Sequence, residues 1–314
     1  MNAAPQSESL RIALVGAGKM ARQHARAIAA PTLHARLAAV ADASASALEG
    51  IRPLAPEARL VGSLTEALAT GPVDVVHICT PPDTHEALAT EALEAGCHVY
   101  VEKPIAPSEA ATRHLLDLAA ARRLQLCPGH QLLFEPPARE IRRLLPAVGR
   151  VIHVESYFSF RTVRRTPDGK APLRADLQLL DILPHPVYLL LDLLERAAPG
   201  DSRLVALELG RSGSLHALVR RGEVTGALVV SVEARPVESY LRVTGTNGAL
   251  LGDFVRGTVE RLIVPGTSGI DKVLAPYRTA AQLLSGTTGA LARRALGRQR
   301  SYPGLVEIFD SFYA

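Results

Sequence analysis

The chain has 314 residues, of which 47% are hydrophobic and 21% charged, and its net charge is +4. This length and composition predict a globular protein of two domains and exclude a disordered chain. The mild positive charge, without an aromatic-rich basic face, gives no indication of nucleic-acid binding. No run of about 18 uncharged apolar residues predicts a membrane span. Residues 1–9 also lack the apolar core of a signal peptide.

The three cysteines, Cys79, Cys97 and Cys127, are an odd number and do not have the spacing of metal ligands. Each lies in or beside a predicted strand. We therefore expect buried, reduced thiols, as in a cytoplasmic protein.

Residues 1–127 alternate between predicted strands and helices. Short apolar runs predict strands at 11–15, 37–41, 73–78, 98–101 and 124–127, with a further short strand near 59–61. Alanine-rich runs predict helices at 20–30, 65–69, 84–95 and 108–121. Because strands alternating with helices imply right-handed crossovers, this domain is predicted to be an α/β Rossmann fold with a doubly wound parallel sheet.

The pattern changes after residue 127, so residues 128–314 are predicted to form a second domain. Alternating runs predict strands at 151–160, 203–209, 215–219, 225–232, 240–244, 250–254 and 259–264, and helices are predicted at 138–145 and 187–196. Short strands at this spacing favour a mostly antiparallel sheet. The second domain is therefore predicted to be α+β, with helices on one sheet face and the other face open to a partner subunit.

Two basic segments of this domain have alternative interpretations. Residues 275–298 are helical in composition, apolar and basic, which predicts an ordinary packed helix, with a helical hairpin or a surface helix that touches a membrane or partner as the alternatives. Arg161, Arg164 and Arg165 predict either a flexible basic loop or a clamp for a carboxylate or phosphate on a substrate.

The first strand leads directly into a Gly-x-Gly-x-x-Ala turn and then a helix. Gly16 permits the tight turn, and Gly18 lets the backbone approach a pyrophosphate because it has no side chain. Ala21 allows the helix to pack close to the strand. The first N–H groups of that helix, including those of Lys19 and Met20, would face the phosphates. This turn predicts a dinucleotide-binding site.

Asp42 ends the second predicted strand, about two dozen residues beyond Gly18. A carboxylate at this position is predicted to bind the ribose hydroxyls of NAD and to repel the extra phosphate of NADP. The alternative is that Asp42 caps the helix that starts near Ser44. NAD is therefore the expected cofactor, with NADP as the alternative.

Three further stretches carry a resemblance to a known family. They are Val-His-Ile-Cys-Thr-Pro-Pro-Asp-Thr-His at 76–85, the Ala-Gly-Cys-His-Val strand that ends in Glu-Lys-Pro at 102–104, and Asp-Ile-Leu-Pro-His at 181–185. With the glycine turn, they resemble the Gfo/Idh/MocA family of dinucleotide-dependent oxidoreductases. The resemblance covers the chain to about residue 254 and weakens beyond it.

The resemblance implies a set of site residues. Lys103, Asp181 and His185 are assigned to the reacting end of the site, and Thr80, Pro81, His85, Glu102 and Lys103 join the glycine turn as cofactor contacts. The chemistry agrees, because oxidation of a secondary alcohol needs a base for the hydroxyl proton. His185 titrates near neutral pH, and Lys103 can stabilise a developing alkoxide or exchange the proton itself.

Several assignments stay open at this level. The principal acid–base group is His185 or Lys103, and Asp181 either orients the imidazole from one helical turn away or binds a substrate hydroxyl. His24 is a packing or phosphate-side residue, and His130 is a candidate substrate contact. No metal is predicted, because Asp181 and His185 have no third ligand at a suitable spacing.

The sequence as a whole predicts an NAD(P)-dependent dehydrogenase or reductase. It would transfer a hydride between nicotinamide and a secondary alcohol or ketone of a sugar, sugar derivative or cyclitol. The resemblance implies a homodimer or homotetramer. The alternatives are a non-catalytic dinucleotide-binding sensor and a redox-cycling epimerase or glycosidase-type relative.

Overall fold

The computed structural model describes residues 9–160, 171, 173–210, 213–263, 269–296 and 302–314. The suggested anion clamp of Arg161, Arg164 and Arg165 lies outside the described residues. The chain divides into two compact units, of which unit 1 comprises Met1–Gln131 with Gly304–Ala314 and unit 2 comprises Leu132–Pro303. Residues 128–131 and 304–314, which were predicted to lie in the second domain, belong here to unit 1.

Unit 1 contains a sheet of six parallel strands. In chain order the strands are β1 (Leu10–Val15), β2 (Ala35–Ala41), β3 (Arg59–Val61), β4 (Val75–Ile78), β5 (His98–Val101) and β6 (Leu126–Pro128). Their order across the sheet is β3-β2-β1-β4-β5-β6. The strand order reverses between β1 and β4, as in a doubly wound Rossmann sheet. The predicted fold of the first half is confirmed.

Both units contain helices, and serine residues cap the N-terminal ends of several helices in unit 1. The helices of the described chain are α1 (Lys19–Ile28), α2 (Ala45–Ile51), α3 (Leu64–Ala69), α4 (His85–Glu94), α5 (Glu109–Arg122), α6 (Pro136–Leu144), α7 (Ala175–Ile182), α8 (Pro184–Ala197), α9 (Gly269–Ala295) and α10 (Pro303–Tyr313). Ser44, Ser63 and Ser108 each accept a hydrogen bond from a backbone N–H of the first helical turn. These bonds satisfy donors that would otherwise lack a partner.

Unit 2 contains a seven-stranded mixed sheet. Its strands are β7 (Val151–Ser159), β8 (Arg203–Gly210), β9 (Ser214–Arg221), β10 (Val224–Ser231), β11 (Ser239–Gly245), β12 (Gly248–Asp253) and β13 (Thr258–Ile263). The order is β13-β12-β11-β7-β10-β9-β8. Only β7 and β10 pair in parallel, and the other neighbours are antiparallel. The mostly antiparallel α+β prediction is confirmed.

The core of unit 2 lies between this sheet and α8. Leu189, Leu190, Leu193 and Leu194 are buried there. Gly226 of β10 permits the close approach, since a Cβ at that position would lie 3.0 Å from a Leu194 methyl. One stretch of the described residues, Ala175–Ala197, has the length and apolar composition of a membrane span, and half of its apolar window is buried inside the structure. That burial is typical of a core helix.

Three helices differ from the sequence prediction. The helix predicted at 187–196 begins earlier, at Pro184, because proline is tolerated in a first helical turn where its missing N–H has no intrahelical partner. α7 and α10 were not predicted. The predicted helix of the basic tail is present as α9.

Candidate functional site

The predicted cofactor residues of unit 1 follow the carboxyl ends of its parallel strands. Gly16 follows β1, Asp42 follows β2, Thr80 lies just beyond β4, and Glu102 and Lys103 follow β5. In an open α/β sheet a ligand binds outside these strand ends, where the strand order reverses. The fold therefore gathers the predicted cofactor set along one edge of the sheet.

The glycine turn has the conformation that its sequence predicts. Gly16 has a φ of 95°, and a Cβ at this position would lie 2.9 Å from the Cys79 carbonyl oxygen, so only glycine fits without a shift of the backbone. Gly18 is the N-cap of α1 and is exposed, and a Cβ there would meet nothing within 4 Å.

The start of α1 suits an anion. The helix has no side-chain cap and no acidic residue in its first turn. Its first N–H groups and the positive end of its dipole thus point to the space in front of Gly18, beside the exposed Lys19. The chain fits the diphosphate of a dinucleotide at this turn.

Asp42 connects the end of β2 to the glycine turn. Its Oδ2 accepts a hydrogen bond from the Ala17 N–H at 2.7 Å, and its Oδ1 accepts one from the Ser44 N–H at 2.8 Å. The cap of α2 is Ser44, whose hydroxyl accepts from the Ala47 N–H. The carboxylate therefore orders the turn and the loop before α2. The predicted ribose contact stays a prediction.

His85 joins the two turns that follow β4 and β5. Its ring is 1% exposed, with Nδ1 2.7 Å from the Pro104 carbonyl oxygen and Nε2 2.9 Å from the Thr80 carbonyl oxygen. The ring nitrogens thus serve the protein's own backbone, and the imidazole positions the Thr80–Pro81 turn against the segment that carries Lys103. A direct cofactor contact by His85, as by Pro81, stays a prediction.

Lys103 is half-buried, and the preceding residue is anchored in the interior. The Glu102 side chain is buried, and its Oε1 lies 3.0 Å from Nε2 of His24. His24 belongs to α1, so this contact ties Glu102 to that helix. It thereby holds the backbone at the end of β5, from which Lys103 extends. The structure thus gives Glu102 an interior partner, and the cofactor contact predicted for it stays a prediction.

His24 belongs to a buried hydrogen-bonded chain that the sequence analysis did not detect. His24 Nδ1 lies 3.0 Å from His77 Nδ1, and His77 Nε2 lies 2.8 Å from the Tyr313 hydroxyl. If Tyr313 donates to His77, His77 to His24 and His24 to Glu102, each ring donates once and accepts once. Phe309 packs edge-on against both imidazoles. Of the two alternatives for His24, the structure favours packing.

Burial controls the titration of this region. It lowers the pKa of His77 well below its ordinary value, with the neighbouring His24 adding to the effect. Burial also lowers the pKa of His130 to about 4, against the opposing effect of the Glu102 carboxylate. It raises the pKa of Tyr313. His77 and Tyr313 therefore keep the uncharged forms that the hydrogen-bonded chain requires.

The three cysteines are free thiols. Burial raises the pKa of Cys79, assisted by the Glu102 carboxylate, and raises that of Cys127 to about 12. Cys79 Sγ lies 3.3 Å from His24 Nδ1. Within the described ranges, no group of three or more His, Cys, Asp or Glu side chains is arranged to hold a metal ion.

Asp181 and His185 belong to unit 2. Asp181 lies in the last turn of α7 and His185 in the first turn of α8. His185 Nδ1 lies 2.8 Å from the Tyr188 hydroxyl, which also accepts a hydrogen bond from the Leu132 N–H at 3.2 Å. Tyr188 is a partner of His185 that the sequence analysis missed, although the i,i+3 spacing on one helix was visible.

The hydroxyl of Tyr188 orients the imidazole. When Nδ1–H donates to the Tyr188 oxygen, the lone pair of the neutral ring lies on Nε2, which is then the nitrogen able to accept a proton. This is the arrangement that a general acid–base histidine needs.

Comparisons with known proteins agree with this geometry. Residues 10–130 match the Gfo/Idh/MocA oxidoreductase family, described by its NAD-binding Rossmann fold. Inositol 2-dehydrogenase of Rhizobium meliloti is 33% identical over 148 residues, which are 47% of this chain and 43% of that protein. UDP-N-acetylglucosamine 3-dehydrogenase of Acidithiobacillus ferrooxidans is 30% identical over 199 residues, 63% of this chain and 58% of that protein.

These matches span about half the length of the curated relatives. The structural match to the WlbA dehydrogenase from Bordetella pertussis, solved in complex with NADH and UDP-GlcNAcA, covers 98% of this chain and 90% of that chain. Its TM-score is 0.73 at 18% identity, so this likeness shows the fold. Residues 10–130 therefore match the NAD-binding Rossmann domain of the Gfo/Idh/MocA oxidoreductases, and the solved structure shows a like fold over nearly the whole chain.

Proposed function

We propose that this protein is an NAD-dependent oxidoreductase that acts on a CH–OH group of a sugar, sugar derivative or cyclitol. The observation that carries the proposal is the glycine turn, where Gly16 holds the left-handed conformation and Gly18 leaves open space before an uncapped helix. The names of the relatives, inositol 2-dehydrogenase and UDP-N-acetylglucosamine 3-dehydrogenase, support a polyhydroxylated substrate.

In this proposal the turn at Gly18 and the start of α1 hold the diphosphate, and Asp42 accepts hydrogen bonds from the ribose hydroxyls. Asp42 favours NAD over NADP because its carboxylate repels a ribose phosphate. A nicotinamide held by these residues would supply the acceptor or donor of the hydride.

Lys103 and His185 carry the proton chemistry of the proposal. The Lys103 ammonium polarises the substrate oxygen and stabilises negative charge as it develops there. His185 takes the hydroxyl proton at Nε2 in the oxidation and returns it in the reduction, with Tyr188 holding Nδ1. Asp181 binds a substrate hydroxyl or orients the imidazole.

The test is absorbance of the reduced nicotinamide with NAD and a panel of sugars, nucleotide sugars and cyclitols. We expect turnover, and Lys103→Ala should lower kcat/KM about 100-fold or more while NADH still binds. A protein that binds neither pyridine nucleotide would refute the proposal. Binding without turnover on the whole panel would identify a sensor instead.

We also propose a cellular location and an oligomeric state for the protein. Free thiols at Cys79, Cys97 and Cys127 support a cytoplasmic location. Exposed Leu204, Leu207 and Leu209 on β8 support a homodimer or homotetramer. Sedimentation equilibrium measures the assembly directly, and a monomer at micromolar concentration would contradict it.

A further inference from the structure

α9 is amphipathic in the reverse of the usual sense. A surface helix normally turns its apolar stripe to the core and its polar face to water. Here the face packed on the sheet is made of Gln282, Gly286 and Ala290, spaced four residues apart. Both backbone groups of Arg261 in β13 bond the Gln282 amide, at 2.8 and 3.1 Å. A Cβ at Gly286 would lie 3.1 Å from a Thr258 methyl, and Ala290 is 3% exposed.

The opposite face of α9 is apolar and exposed. Ile270, Tyr277, Leu284 and Leu291 follow one another at intervals of seven residues, and their exposed fractions are 72%, 73%, 71% and 58%. At about 100° per residue these positions form one stripe on the far side from Gly286. The stripe extends over about six turns of helix, which is unusual for a surface in contact with water.

The segment of sequence that contains this stripe is strongly basic. Residues 269–300 contain six Lys or Arg and one acidic residue. Arg278 and Arg293, on the described helix, are exposed. An apolar stripe combined with basic residues is the composition of a helix that lies in the interface of an anionic bilayer.

The sequence pattern disfavours a second copy of α9 as the partner. A two-stranded coiled coil needs apolar residues at two positions of each heptad. Three residues after each member of the stripe stand Val273, Ala280, Thr287 and Arg294. The second position therefore becomes small, then polar, then charged along the helix. A lipid surface needs only the single apolar stripe.

We infer that α9 is a membrane-docking helix, which binds an anionic phospholipid surface through its exposed apolar stripe and its arginines. The helix lies flat on the bilayer, so the Ile270–Leu291 stripe enters the acyl boundary while the Gln282–Ala290 face stays on the sheet of unit 2. The inference is independent of the catalytic proposal, because none of its residues belongs to the proposed site.

The test is co-flotation of the full-length protein with vesicles of phosphatidylcholine alone and with a quarter phosphatidylglycerol. We expect flotation with the anionic vesicles, little with the neutral ones, and loss of binding as salt is raised. Leu284→Glu should weaken binding about tenfold or more, and Arg293→Gln about fivefold. The matched control is Leu116→Glu, a leucine on α5 that is 48% exposed, and it should float as the unaltered protein does.

Circular dichroism and sedimentation equilibrium complete the experiment. Circular dichroism should show that each variant keeps its helical content. A loss of flotation can then be attributed to the altered surface of α9 and not to unfolding. The inference is overturned if the protein stays unbound with anionic vesicles at low salt, if neutral vesicles bind it equally, or if Leu284→Glu binds unchanged. A fall in oligomeric mass on Leu284→Glu, without any vesicle binding, would overturn it in favour of a second copy.

Discussion

Gly16 and Gly18 lie two residues apart in the same turn, yet the structure predicts that alanine at each has a different effect. At Gly16 the backbone φ is 95°, and the new Cβ would approach the Cys79 carbonyl oxygen to 2.9 Å. At Gly18 the φ is −73°, which alanine adopts freely, and the new Cβ would meet nothing within 4 Å. Alanine at Gly16 should therefore destabilise the fold, whereas alanine at Gly18 should change only the exposed surface of the turn.

The magnitudes follow from these two environments. Forcing alanine into a left-handed conformation costs about 1–2 kcal/mol, and the contact with a backbone carbonyl adds about as much again. We therefore expect Gly16→Ala to lower the free energy of unfolding by about 2–4 kcal/mol, which is a fall in Tm on the order of 5 °C or more. Gly18→Ala should leave Tm unchanged or raise it slightly, since alanine restricts the unfolded chain.

Nucleotide binding, in contrast to stability, should be sensitive to the substitution at Gly18. If the diphosphate approaches Gly18, the Cβ of alanine occupies part of its place. Calorimetric titration of Gly18→Ala with NADH should then give a Kd raised about tenfold, a loss of about 1.4 kcal/mol. Thermal unfolding without ligand serves as the companion measurement. The reasoning is refuted if Gly18→Ala binds NADH as tightly as the unaltered protein, or if Gly16→Ala unfolds at the same temperature.

Three further changes test other parts of the site. Asp42→Asn should narrow the preference for NADH over NADPH by about tenfold, because the repelling charge is lost; titration with both nucleotides measures this ratio, and an unchanged ratio would remove Asp42 from the ribose site. Tyr188→Phe should shift the pH profile of kcat while NADH affinity stays constant, since the hydroxyl bonded to His185 Nδ1 is lost; an identical profile would show that Tyr188 does not act through His185. Below pH 6.5, the ordinary pKa of histidine, the unfolded chain binds protons that buried His77 and His130 refuse, and for His130 this difference persists to about pH 4. Stability is complete above pH 6.5 and should fall as the pH is lowered, by at most about 1.4 kcal/mol per pH unit for each histidine. Denaturant titrations of His77→Gln should show a shallower fall, and an equal slope would contradict the assignment.

Most of the sheet positions could be predicted because local pattern and local structure agree there. The strand predicted at 98–101 has those bounds in β5, and the short strand near 59–61 is β3. Buried parallel strands appear as short apolar runs between helices, so their periodicity is a strong signal. The glycine turn was equally visible, because it needs particular residues at a particular spacing.

The missed elements depend on contacts that are distant in sequence. α10 belongs with unit 1, and its Tyr313 reaches His77 across 236 positions of the chain. No local pattern indicates such a return. The same holds for Glu102, whose place beside Lys103 suggested a ligand contact. Only the fold shows that its carboxylate lies against His24 on a different element.

His85 and Tyr188 show a second kind of limit. Both lie near predicted site residues, and the family resemblance assigned His85 to the cofactor but gave Tyr188 no role. The structure shows one ring bonded to two backbone carbonyls and one hydroxyl bonded to His185. Residue type and position in the sequence do not distinguish a side chain that positions a site residue from one that contacts a ligand. Only the geometry of the folded chain separates the two roles.

The central claim is that the strand ends of unit 1 bind a pyridine nucleotide, and direct titration of the unaltered full-length chain with NADH and with NADPH tests it most simply. The structure predicts saturable binding of one NADH per chain, tighter than binding of NADPH because Asp42 stands at the end of β2. An absence of saturable binding by either nucleotide would contradict the claim.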